Sequence, residues 1–169
     1  MEIVLASPKQ GHFIHGPLTV VHVLSHFDTS QIGSILDKEL NKLYMCMDIN
    51  VLQEFEVCIL FSQLEDDLQS FVEETVIKNS NYADGKIVLS DLEDCYSAEW
   101  PAVIVAHDLK GYLGDYNLPQ LYLEISRARV FCSVLVVPEK DHTVTEYKDM
   151  HELLNRLESV THTIRYCDE

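Results

Sequence analysis

LYLEISRARVFCSVLVV, residues 121–137, changes its apolar period halfway along. The first half is spaced as a helix, with Leu121, Tyr122, Ile125 and Ala128 on one face. The second half, Ser133 to Val137, is a short β-branched apolar run of the kind that fills a parallel strand buried on both faces. Arg127 and Arg129 fall between the halves, at the end of the helix. A guanidinium keeps its charge in a protein, so this pair must meet water or an anion. On chemistry alone the plainer reading comes first: two solvated arginines at a helix C-terminus, where the macrodipole favours them.

Working outward, the same alternation repeats. Thr19 to Leu24 reads as a first strand, and Asp28 with Gln31 makes a capping-box pattern. Ile32, Ile35, Leu36, Leu40 and Leu43 then follow at helical spacing. Val57 to Phe61 reads as a strand, Ser62 with Glu65 as a second capping box, and Leu64, Leu68, Phe71, Val72 and Val76 as a second stripe. Asn79 to Gly85 is a loop by composition, and Lys86 to Ser90 a short strand. Polar, acidic Asp91 to Glu99 precedes another apolar strand, Ala102 to Ala106, with His107 and Asp108 at its carboxyl end. Lys110 to Asn117, with Gly111 and Gly114, reads as a loop before the arginine-bearing helix.

Beyond Val137 come a turn at Pro138–Asp141, a third capping box at Thr143 and Glu146, and a stripe of Met150, Leu153, Leu154 and Leu157. Thr161 to Tyr166 reads as a final strand or an extended tail. Strands alternating with helices specify a three-layer α/β domain, a mostly parallel sheet flanked by helices. Val57–Phe61, Ala102–Ala106 and Ser133–Val137 should be its central strands. With no repeat and no clear linker, residues 1–169 read as one domain. Residues 1–17 form a lead-in segment, and residues 138–169 hold the last helix and candidate strand.

Charge narrows the function classes. Twelve basic against 28 acidic residues give a formal net charge of -16. Nucleic-acid affinity comes largely from Lys and Arg neutralising phosphates, and no basic run is present, so nucleic-acid binding by the isolated chain is not expected. No apolar run approaches the roughly 20 residues that span a membrane, and the start lacks signal-peptide character. The five cysteines are scattered without CxxC spacing, which suggests reduced thiols in an intracellular protein of the cytoplasm or nucleus. His12, His15, His22 and His26 lie close in sequence, but no cysteine or carboxylate cluster completes a zinc site, so no metal is expected.

LYLEISRAR before an apolar strand resembles motif VI of superfamily 1 helicases, written "LYVAxTRAR". Upstream, Ser97-Ala98-Glu99-Trp100-Pro101-Ala102-Val103-Ile104-Val105 resembles motif V of that family, "KGLEWxxVxV". The resemblance is to the second, C-terminal RecA-like domain of UvrD-like and Schlafen-like helicases, and covers Pro17 to Val137. It implies a RecA-like P-loop NTPase fold lacking its own P-loop, because no GxxxxGK[ST] occurs in this sequence. By the same resemblance Arg127 matches the γ-phosphate arginine and Arg129 an accessory charge. Glu99 matches the motif V glutamate that accepts a hydrogen bond from the ribose, with Trp100 beside it on the nucleotide side.

ATP and Mg²⁺ would bind only in a cleft completed by a first RecA-like domain of the same or a parent protein. The isolated chain would hold no cofactor and hydrolyse nothing. The sequence also departs from the family. Tyr96-Ser97 stands where motif V has Lys-Gly, and Asp91 and Glu93 stand where a Thr and a His usually precede it. Half of an ATP-dependent helicase cleft is therefore one expectation. A degenerate helicase-like domain serving as a protein-interaction or regulatory module is the second. A third is an unrelated α/β domain that binds a small molecule or phosphate through His107 and Asp108, since ligands gather at the carboxyl ends of parallel strands.

Overall fold

The computed structural model describes residues 19–46, 57–62, 67–78, 87–94, 97–110, 118–148 and 150–166. Its strands are β1 (Val20–Leu24), β2 (Val57–Phe61), β3 (Ile87–Asp91), β4 (Trp100–Asp108), β5 (Ala128–Val137) and β6 (His162–Tyr166). All pair in parallel, in the order β3-β2-β4-β5-β1-β6. The continuous apolar runs occupy the interior: β2 is buried throughout, and β4 and β5 are buried over their carboxyl halves. The edges β3 and β6 are only partly covered, so they have no need of an unbroken apolar run. Of the final segment, His162–Tyr166 is thus a strand, β6, laid against β1.

The helices are α1 (Thr29–Cys46), α2 (Asp67–Lys78), α3 (Leu118–Ile125) and α4 (Met150–Val160). Right-handed crossovers that move in opposite directions along a sheet put their helices on opposite faces. Accordingly α1 and α2 cover one face through Ile32, Ile35, Leu36, Leu40, Leu43, Leu68 and Val72. On the other face α3 and α4 contribute Leu121, Ile125, Met150, Leu153 and Leu154. Among the described residues, no helix is long and apolar enough to cross a membrane.

Several boundaries differ from the periodicity. Helix α3 stops at Ile125, where Arg127 N bonds to Glu124 O at 3.2 Å and tightens the last turn, and Ala128 already belongs to β5. Tyr122 does not join Leu121 and Ile125 in the core but is 41% exposed. Strand β5 begins at Ala128 rather than Ser133 because Ala128 pairs with Trp100. A register shift between Trp100 and Ala102 accommodates Pro101, which has no N–H to give to a ladder.

The caps also need correction. Asp28 Oδ1 accepts from Ser30 N at 2.9 Å and Gln31 N at 3.2 Å, but Gln31 Oε1 is buried with no hydrogen-bond partner. Asp28 therefore caps α1 without its reciprocal half. The Thr143/Glu146 box closes a 3-10 turn, Val144–Glu146, and α4 starts beyond it. The partner of Ser62 in the second box, Glu65, lies outside the described residues, as do Leu64, His12 and His15.

Candidate functional site

Parallel strands bring all four singled-out residues to one margin of the sheet. Trp100 opens β4 and Ala128 opens its neighbour β5, and the Trp100 N–H donates to Arg127 O at 2.9 Å. Glu99, just before β4, accepts from Arg129 Nε at 3.2 Å. Arg127 occupies the turn after α3, where its Nε donates to Leu123 O at 3.3 Å and its Nη2 to Ser126 Oγ at 3.1 Å. Arg129 belongs to β5 and not to the helix end. With Arg129 56% and Glu99 34% exposed, their ion pair contributes about 0–1 kcal/mol and exchanges easily with other charged groups.

The opposite, carboxyl margin holds a crevice of about 200 Å³ lined by Phe27, Asp67, Asp108, Lys110, Glu139 and Lys140, among others. Lys140 Nζ sits 2.8 Å from Asp67 and 5.5 Å from the centre of the Phe27 ring. The hydrogen bond and charge of Lys140 hold the Asp67 carboxyl below its ordinary value. Asp108 Oδ1 accepts from Lys110 N at 2.8 Å. His107 does not join Asp108 there, because alternation along β4 turns its ring to the other face. The two therefore do not form one ligand site.

Two buried pairs escaped the sequence reading. His107 Nδ1 donates to Glu124 Oε2 at 2.7 Å, and His22 Nε2 donates to Glu39 Oε1 at 2.9 Å, with all four side chains inaccessible to solvent. Each joins a strand histidine to a glutamate 17 residues on, in the helix that follows in chain order. The available signal was a glutamate within an apolar stripe: Glu39 beside Leu36 and Leu40, Glu124 beside Leu121 and Ile125. The other ring nitrogen of His22, Nδ1, lies 2.8 Å from the Tyr166 hydroxyl, so the imidazole links Glu39 to Tyr166. Burial alone would raise the Glu39 carboxyl, but hydrogen bonds from His22 and Lys42 outweigh it and hold the group below its ordinary value.

Cys132, buried on β5, is pushed up to about 12 by burial, with the Glu124 charge adding to the effect. Its thiol is protonated at neutral pH and should resist thiol reagents in the folded chain. Mass-spectrometric footprinting with iodoacetamide should label Cys132 only under unfolding conditions; labelling at native pH would contradict its burial. Among the described residues, no group of three or more His, Cys, Asp or Glu is arranged to hold a metal ion.

The chain is thus a three-layer α/β domain with a six-stranded parallel sheet and flanking helices. No family model matches the sequence, and no curated protein matches it. Among solved structures 16 chains match. One is the C-terminal domain of a possible DNA helicase from Lactobacillus plantarum WCFS1, with 21% identity and a TM-score of 0.49, covering 74% of this chain and 77% of that one.

Proposed function

We propose that this chain is a helicase-like domain of the superfamily 1 type, UvrD-like or Schlafen-like, that supplies one wall of an ATP cleft. A separate P-loop domain would complete the cleft. The observation that carries this reading is the meeting of Glu99–Trp100 with Arg127–Arg129 at the amino ends of β4 and β5, although 30 residues separate Glu99 from Arg129. Arg127 stabilises charge developing on the transferred phosphoryl group. Two of its contacts, to the Leu123 carbonyl and the Ser126 hydroxyl, are with neutral groups, and hydrogen bonds to phosphate oxygens in their place would be stronger and charge-assisted. Glu99 accepts from the ribose, Arg129 orients it, and Trp100 flanks it. Mg²⁺ and the phosphates would be held by the partner's loop, since this sequence has none.

The competing reading, an interaction or regulatory module without turnover, draws on the acids Asp91 and Glu93, the Tyr96-Ser97 replacement and the net charge of -16. ATP hydrolysis decides between them. The chain alone should release no phosphate, and the chain joined to or mixed with its P-loop domain should release it steadily. A P-loop domain whose rate is indifferent to this chain would favour the module.

A further inference from the structure

Helix α3 carries a carboxylate where a helix packed on a sheet would ordinarily carry an apolar side chain. Glu124 is fully buried between Leu121 and Ile125, and both its oxygens are engaged. Oε2 accepts from His107 of β4 at 2.7 Å, and Oε1 accepts from Gln120 at 3.3 Å. Gln120 also donates to Ser62 O, just past β2, at 2.9 Å. One turn of α3 is therefore fastened to two adjacent strands by directional bonds.

The same residue governs the start of β5. The Glu124 carbonyl accepts from the Arg127 amide at 3.2 Å, and the Arg127 carbonyl accepts from Trp100 N at 2.9 Å. The Arg127 backbone is thus held between Glu124 and the first residue of β4. Its guanidinium rests on Leu123 and Ser126, the residues flanking Glu124 and Ile125. Burying a hydrogen-bonded carboxyl and imidazole costs desolvation that two apolar side chains would avoid, so stability alone does not account for the pair. Apolar contacts tolerate small rotations and slides of a helix, whereas a short bond between a buried carboxylate and an imidazole does not.

We infer that the buried His107–Glu124 pair is a positioning device, fixing the rotation and height of α3 on the sheet so that Arg127 is presented at the amino margin beside Trp100. The catalytic consequence rests on the role proposed above for Arg127; the positioning itself is read independently of turnover. Glu124 and His107 are positioning residues and touch no nucleotide.

The test follows the Arg127 Nε–Hε resonance in the ¹⁵N-labelled full chain, identified by its loss in Arg127→Lys, with the Arg129 Nε–Hε as an internal control. The informative variant is His107→Leu/Glu124→Leu, because replacing both partners with apolar side chains leaves no orphaned buried charge and preserves folding. Hydrogen exchange at Arg127 Nε should accelerate about tenfold or more in that variant, while Arg129 Nε, held by Glu99, stays unchanged. Glu124→Gln keeps an acceptor for His107 and should remain within about threefold of the parent chain. A folded double variant with unchanged Arg127 exchange would overturn the inference. Equal acceleration at both arginines would also overturn it, marking general loosening. Arg127→Ala that failed to slow hydrolysis would remove only the catalytic role, so the two failures read separately.

Discussion

Arg127→Ala is expected to slow ATP hydrolysis by the assembled two-domain protein by roughly 10³–10⁵, the usual loss for an arginine that stabilises phosphoryl transfer. The fold should survive, because the Arg127 side chain belongs to neither core cluster. An interaction made only in the transition state lowers kcat and kcat/KM together, so KM for ATP should change little. Arg129→Ala should cost about tenfold or less, because the partly exposed ion pair it breaks is weak and Glu99 keeps its own backbone position. Steady-state phosphate release by the two variants, with circular dichroism as the folding control, measures both effects. The reverse ranking would transfer the phosphate role to Arg129, and no loss in either would return both arginines to solvated charges.

The largest stability loss is expected at the other buried pair. His22→Ala should destabilise the chain by about 3–5 kcal/mol, because it removes the imidazole partner of the buried Glu39 carboxylate. Glu39 Oε2 is already buried with no hydrogen-bond partner, and Lys42, 3.1 Å from Oε1, is the one remaining charge described beside it. Urea unfolding at neutral pH provides the measurement, and a loss under about 1 kcal/mol would mean that water or Lys42 replaces the imidazole. The pH dependence has a definite sign. The folded Glu39 carboxyl lies below its ordinary value of 4.5, so the stability it contributes is fully present above that value. It is lost as pH falls through the lower, folded value. In His22→Ala the remaining carboxylate loses its chief stabiliser, and this acid-side loss of stability should shrink or reverse.

Much of the architecture was legible because burial on both faces leaves a mark in sequence. Val57–Phe61 is unbroken in apolar residues, and such a run has few uses outside an interior strand. The α1 stripe Ile32, Ile35, Leu36, Leu40 and Leu43 is likewise the set that the sheet buries. The α3–β5 junction was harder. No Gly or Pro marks the end of the helix, and Ala128 suits a helix as well as a strand, so pairing with Trp100 decides the boundary. The nearness of Glu99 to Arg129 follows from placing β4 beside β5, a long-range fact that local periodicity does not carry. The buried histidine pairs were hidden for the same reason: each histidine sits in a strand and its partner in the next helix.

The position of β1 bears on how the chain is made. It is the first described strand, yet its sheet neighbours are the last two, with Val20 facing both Ser133 and His162. At about 5–20 residues per second on the ribosome, Val20 waits on the order of ten seconds for either neighbour to be synthesised. Throughout that interval the segment Val20–Leu24 has two unpaired edges and an apolar sequence open to wrong partners. His22, in the middle of it, interrupts the apolar run, and its contact with the Tyr166 hydroxyl can form only once the last strand has been made. In the finished domain that one polar side chain ties the strand to α1 through Glu39 and to the last strand through Tyr166.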